Sequence, residues 1–103
     1  MTVAPISPQP LSVDDAAAIL GNKTGLTVIR HLMDHGPSTI TSIIQVVGRS
    51  HTLIWRCLKD LEHAGIVSAN VPEGARHRRA LVYEYVPEGF IAALDLLKDA
   101  FQP

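Results

Sequence analysis

The chain has 103 residues, of which 47% are apolar and 18% are charged, so it can bury the core of one small domain but not of two. No apolar run approaches the roughly 20 residues that a membrane helix needs, and the first residues lack the pattern of a signal peptide, so a soluble cytoplasmic protein is expected. Its single cysteine, Cys57, excludes an internal disulfide and makes structural zinc unexpected.

The start of the chain differs in composition from the remainder. The first ten residues contain three prolines and no hydrophobic periodicity, so residues 1–11 are expected to form a flexible arm. The pattern changes at Ser12, because Ser12 followed by Asp15 is typical of a helix N-cap with a carboxylate over the free amides. Residues 12–103 are therefore expected to form a single domain.

Four helices are predicted in the first part of this domain. The first follows Ser12 and ends at Gly21. The other three run from about Lys23 to His35, from Ile40 to Val47 and from His51 to about Ala64. Gly36-Pro37 is a strong stop after the second helix, and Thr39 and Ser50 are suitable caps for the third and fourth. Because only Gly48-Arg49-Ser50 separates the third and fourth helices, the pair predicts a helix-turn-helix.

After Gly65 the pattern changes to short extended runs. Residues 66–69 and 80–85 predict a β-hairpin, and residues 70–79 between them form a long basic loop. Residues 90–101 are predicted to form a last helix. The expected fold class is therefore α+β, mainly α with a small β-hairpin.

The net charge of −1 conceals a separation of charge. Six of the nine basic residues fall in two short windows without acids, and they are Arg49, Arg56, Lys59, Arg76, Arg78 and Arg79. All ten acidic residues lie elsewhere. If the two windows lie side by side, they form a basic face suited to a polyanion; otherwise each window is ordinary solvated surface.

The order helix, helix, helix-turn-helix, basic hairpin, helix is that of the winged helix-turn-helix domain. The stretch LGNKTGLTVIRHLMDHGPSTITSIIQVVGRSHTLIWRCLKDLEHAGIVSA resembles bacterial transcription regulators of the ArsR and MarR type. The most specific piece is LKDLEHAGIV, from Leu58 to Val67. It contains two core leucines, the end of the helix and the start of the wing at fixed spacings. The resemblance extends from Ala16 to about Tyr85 and implies a DNA-binding scaffold.

The sequence departs from the family's pattern at several positions. Gly25 stands where arginine is usual, and Ile44 stands where many such motifs have a small residue, which implies a slightly wider helix pair. Metal-sensing members carry a cysteine pair where this chain has residues 40–43, ITSI, and the last helix offers only Asp95 and Asp99 as ligands. The resemblance therefore implies neither metal regulation nor a cofactor.

The outward face of the fourth helix is expected to contact double-stranded DNA. With the preceding turn it carries Arg49, Ser50, His51, Thr52, Trp55, Arg56 and Lys59. Arg56 can pair with guanine in the major groove, whereas Trp55 either meets a base or packs on a neighbouring element or partner subunit. The hairpin loop adds cationic side chains that can reach phosphates or a minor groove. They belong to Arg76, His77, Arg78 and Arg79.

The last helix is expected to form a homodimer. Nine of its twelve residues are apolar, so more than one of its sides must be covered, and one small domain covers only one. The expected interface residues are Phe90, Ile91, Leu94, Leu97 and Phe101. Two-fold symmetry would then imply a palindromic operator.

Three further features have simple interpretations. His31 and His35 are four residues apart and could share a metal ion, but the one further candidate ligand, Asp34, lies on a different face from His31, so surface histidines are favoured. Cys57 lies on the inward side of its helix, which favours a buried, inert thiol. No catalytic pattern appears, so no enzyme activity, cofactor or small-molecule ligand is expected.

Two functions remain open from the sequence. The leading hypothesis is sequence-specific DNA binding by a small dimeric transcription regulator, a repressor in particular. The alternative is a winged helix used as a protein-interaction module without DNA. The two basic windows contain no acids, and this favours the DNA-binding function, because a protein-docking domain does not require an acid-free surface.

Overall fold

The computed structural model describes residues 11–71, 74, 76 and 81–102. Within these residues the helices are α1 (Val13–Leu20), α2 (Lys23–His35), α3 (Ile40–Val47), α4 (His51–His63) and α5 (Pro87–Ala100), and the strands are β1 (Ser38–Thr39), β2 (Val67–Ala69) and β3 (Val82–Tyr85). None of these helices is long and apolar enough to span a bilayer. The predicted fold class, mainly α with a small antiparallel sheet, is confirmed.

Short polar side chains cap α1, α3 and α4, as the sequence predicts. Ser12 and Asp15 form a reciprocal capping box at α1, in which the Asp15 amide donates to the Ser12 hydroxyl at 3.0 Å. Thr39 caps α3 and Ser50 caps α4 through the amides of residues 42 and 53. Each cap satisfies an amide that lacks a partner inside its helix, so the sequence locates these three helix starts well.

The sheet contains one strand that the sequence does not predict. Its order is β1-β3-β2, and both pairings are antiparallel, with Ser38 opposite Tyr83 and Val67 opposite Tyr85. The missed strand is β1, which has only two residues and therefore shows no alternation of apolar and polar side chains. It adds a third strand to the predicted hairpin and ties the start of α3 to the sheet.

Helix α5 begins earlier than predicted, at Pro87 rather than at Phe90. Proline is well suited to a first helical turn because its missing N–H would have no intrahelical acceptor there. The early start brings Gly89 against the turn between α4 and β2, so close that a Cβ on Gly89 would lie 1.8 Å from the Gly65 carbonyl oxygen. This approach joins α5 to the winged-helix core.

The core lies between α2, α3, α4 and the sheet. Its largest fully buried side chains include Leu32, Ile43, Ile54, Leu58 and Tyr83. The predicted burial of Cys57 is confirmed, and burial, with a smaller effect from Asp60, raises the pKa of its thiol to about 11. This thiol is therefore protonated at neutral pH, which fits the inert role expected for it.

The expectation of surface histidines on α2 is wrong for His31. His31 is 7% exposed, and its ring stacks on that of His35 with 4.6 Å between centroids. Within the described part of the chain, neither ring nitrogen of His31 has a hydrogen-bond partner. Burial and the neighbouring His35 lower the pKa of His31, against the opposing effect of Asp34.

This burial predicts a loss of stability in mild acid. The pKa of His31 is lower in the folded chain than its ordinary value of 6.5, so the unfolded chain takes up the proton first as the pH falls. The free energy of unfolding should therefore hold its full His31 contribution above about pH 6.5 and lose it progressively below. Denaturant unfolding at pH 7.5 and pH 5.5 should show a smaller pH effect in His31→Phe than in the wild type. The same change at exposed His51 is the control, and an equal pH effect in His31→Phe and wild type would contradict the assignment.

Candidate nucleic-acid interface

The helix-turn-helix is formed by α3, a three-residue turn and α4. Gly48 ends α3 in the left-handed conformation, with φ of 75°, and its amide donates to the Ile44 carbonyl. Such a φ strains residues with a Cβ, which explains the glycine at this turn. The chain then enters α4 through Ser50, whose hydroxyl accepts from the Leu53 amide at 3.2 Å.

The two faces of α4 differ in burial as the sequence predicts. Ile54, Cys57, Leu58 and Leu61 are buried, whereas the opposite side and the preceding turn are exposed or half-buried. The residues on this outer side are Arg49, Ser50, His51, Thr52, Trp55, Arg56 and Lys59. We call these seven residues the recognition face. Whether they touch DNA stays a prediction.

Trp55 and Lys59 form a contact on the recognition face. The Lys59 ammonium lies 4.9 Å from the centre of the Trp55 ring, and 43% of Trp55 is exposed. The four-residue spacing places both side chains on one side of α4, where the cation meets the negative face of the indole. The ring therefore stays on the outer surface and does not pack into the core, which leaves base contact or a partner subunit as its predicted roles.

The wing is the hairpin of β2 and β3 with its connecting loop. Asn70 closes its base, since its amide donates to the Val82 carbonyl at 3.0 Å and the Val82 amide donates to the Asn70 side-chain oxygen at 2.9 Å. The predicted contact residues His77, Arg78 and Arg79 lie outside the described residues. Arg76 is described, and it lies against α4.

Arg76 has a role that the sequence does not predict. Its guanidinium forms an ion pair with Glu62 of α4, and its Nε donates to the Val71 carbonyl at 3.1 Å. Both side chains of the pair are largely buried, at 15% exposed for Arg76 and 22% for Glu62. Arg76 therefore stabilises the base of the wing, and its charge is balanced by an acid. Whether it also reaches a phosphate stays a prediction.

The sequence offers a weak signal for this pairing. Glu62 lies within the LKDLEHAGIV segment that carries the family resemblance, but a glutamate near the end of a helix is usually solvated. Its partner is 14 residues away along the chain, so no helical or strand periodicity connects them. Only the packing of the hairpin on α4 brings the two together.

The comparisons with known proteins agree with this geometry. Residues 22–68 match the family described as winged helix-turn-helix DNA-binding. Among solved structures, a possible transcriptional regulator for arsenical resistance superposes with a TM-score of 0.69 at 19% identity, covering 86% of both chains. The reduced form of the transcriptional regulator YodB from Bacillus subtilis superposes with a TM-score of 0.61 at 24% identity, covering 85% of both chains.

One curated relative has a different description. An aspartate-semialdehyde dehydrogenase from Legionella pneumophila is 30% identical over 93 residues, which is 85% of this chain. The chain spans only 26% of that relative's length, so the match does not extend to the whole enzyme. The match of residues 22–68 and the likeness to these solved structures together show a winged helix-turn-helix fold in this chain.

Proposed function

We propose that this protein is a transcription regulator that binds double-stranded DNA in a sequence-specific manner, acts as a homodimer and carries out no catalysis. The recognition face carries the proposal. It presents Trp55, Arg56 and Lys59 from the exposed side of α4, the second helix of the helix-turn-helix. A helix of this kind fits the major groove, and arginine can read guanine there by two parallel hydrogen bonds.

The electrostatics of the recognition face support a nucleic-acid partner. From Arg49 to Lys59 the chain contains no acid, although ten acids occur in the whole sequence. The N-terminus of α4 also places free amides beside Ser50, where a phosphate is favoured by the helix dipole. Arg78 and Arg79, from the loop of the wing, are proposed as additional phosphate contacts.

A direct binding measurement tests the proposal. A labelled duplex from upstream of the protein's own gene should give a complex in an electrophoretic shift that survives heparin competition, whereas a random duplex of equal length should be displaced. Sequence-independent attraction to phosphate is removed by heparin, so only a base-reading complex survives. Failure to bind any duplex even at low salt would contradict the proposal and favour the protein-interaction alternative.

The exposed side of α5 supports the proposed dimer. Ile91, Leu94 and Phe101 are 53%, 43% and 84% exposed. The spacing of Ile91 and Leu94 places them on one stripe of the helix, and Phe101 is the C-cap that follows its last residue. The other two predicted interface residues, Phe90 and Leu97, pack partly against the core of their own chain. The proposed interface is therefore centred on the exposed stripe, with α1 beside it because α1 packs on α5.

A charge in the centre of this stripe should separate the proposed dimer. Leu94→Asp would place a carboxylate in an apolar interface, where an unpaired charge is costly to desolvate. Light scattering at tens of micromolar should therefore change from the mass of two chains to that of one. Met33→Asp is the matched control, since Met33 is 52% exposed and belongs to a different helix, α2. A monomeric wild type at this concentration would refute the dimer.

A further inference from the structure

The ion pair between Glu62 and Arg76 joins the recognition helix to the wing. Arg76 makes two contacts at once, to the Glu62 carboxylate on α4 and to the Val71 carbonyl, two residues after β2. A planar guanidinium suits such a two-point contact because its donors are fixed in direction. The burial of both side chains shields the pair from water and salt more than an exposed surface pair.

The surroundings of the pair connect it to the recognition face. Tyr83 of the central strand is buried beside it, and burial raises the pKa of Tyr83, with Arg76, Glu62 and Lys59 as the charged groups that act on it. Lys59 is also the residue that contacts the Trp55 ring. Charged groups of the recognition face and of the wing base therefore act on the same buried tyrosine.

We propose that Glu62 is a positioning residue for DNA binding: by holding Arg76, its carboxylate fixes the wing against the recognition helix. This inference rests on the proposed function, and it identifies the contact that sets the position of the wing relative to the recognition face. The base of the wing then keeps a fixed position relative to the recognition face that reads the duplex. Without the pair, the relative position of α4 and the wing base would have to be fixed on binding, and this ordering weakens binding.

The proposal predicts a direction of change opposite to that of simple electrostatics. Glu62 is negative, and removing a negative charge from a protein that binds a polyanion ordinarily strengthens the complex. If Glu62 positions the wing, its neutral replacement weakens the complex instead. The sign of the change therefore separates a positioning role from a bystander carboxylate.

The test compares Glu62→Gln with Asp60→Asn, which removes the same charge from the same helix. Asp60 is exposed and lines a surface pocket with α1 residues, apart from the wing. Operator affinity should fall several-fold in Glu62→Gln and should stay equal or rise in Asp60→Asn. The salt slope in Glu62→Gln should also be lower, by roughly 0.9 for each phosphate that the wing no longer neutralises. Equal or tighter binding by both variants would overturn the proposal.

Two further variants guard against a folding defect. Arg76→Lys retains the charge but cannot reproduce both guanidinium contacts, so it should weaken binding in the same way as Glu62→Gln. The charge exchange Glu62→Arg with Arg76→Glu should recover part of the affinity that either single exchange removes. Absence of any recovery, with all variants folded by circular dichroism, would contradict the pairing.

A measurement without DNA keeps this proposal separate from the proposed function. Amide hydrogen exchange at Asn70 and Val71 should accelerate in Glu62→Gln and remain unchanged in Asp60→Asn, because only the first variant releases the wing base. If the wild type binds no DNA while this difference appears, the proposed function fails and Glu62 still holds the hairpin. Unchanged exchange in both variants would refute the positioning role.

Discussion

Gly89→Ala should lower the stability of the fold by about 2 to 4 kcal/mol, and so the thermal midpoint by roughly 10 °C or more. A Cβ at this position would lie 1.8 Å from the Gly65 oxygen and 2.5 Å from the Gly65 carbon. Both atoms belong to the backbone of the turn between α4 and β2. The Val86 amide, at the start of α5, donates to the Ile66 carbonyl of the same turn at 2.8 Å, so the turn and the start of α5 cannot move independently. Helix α5 would have to separate from the α4 to β2 turn.

Gly25→Ala is the matched control, since Gly25 and Gly89 are each the third residue of a helix. An added Cβ at Gly25 would make only ordinary contacts, the shortest being 3.5 Å to the Cys57 sulfur. Alanine is favoured over glycine inside a helix by up to about 1 kcal/mol, so this variant should be neutral or more stable. Thermal unfolding of both variants measures the difference. Equal midpoints would show that α5 does not pack as closely as the structure describes.

Arg56→Ala should weaken binding to the specific operator by about 1 to 3 kcal/mol and affect random DNA much less. Arg56 is exposed on the recognition face, so it is placed to read a base edge, which carries sequence information.

Replacing both Arg78 and Arg79 by alanine should instead weaken binding to the operator and to random DNA together. Phosphates carry no sequence information, and the salt slope should fall by up to about 1.8 per protomer if both arginines touch the backbone.

The measurement is affinity for operator and random duplexes across a salt series. Arg30→Ala is the control for removal of one arginine, because Arg30 is exposed on α2 and pairs with Asp34 at 3.3 Å. Its effect should be small on both duplexes. If the wing variant retained the full salt slope, the wing would not touch the phosphate backbone. An equal loss of affinity for both duplexes in Arg56→Ala would show that Arg56 contacts phosphate only.

Local sequence is enough to locate the starts of several helices and the sides that they bury. Ser12, Thr39 and Ser50 are caps whose side chains reach amides only three residues away, so no distant segment is needed to place them. The buried side of α4 likewise follows from apolar residues recurring with the helical period. The winged-helix resemblance could be recognised because these local features occur in a fixed order.

Contacts between distant segments depend on how the elements pack. The strand β1, the pairing of Glu62 with Arg76 and the approach of Gly89 to Gly65 all join residues far apart in the chain. The burial of His31 is of the same kind, since a histidine on an amphipathic helix does not reveal what packs over it. Side-chain periodicity indicates which side of an element is apolar, but not which element covers that side. For this reason the sequence predicts Arg76 only as a phosphate contact and does not reveal that it pairs with Glu62 at the base of the wing.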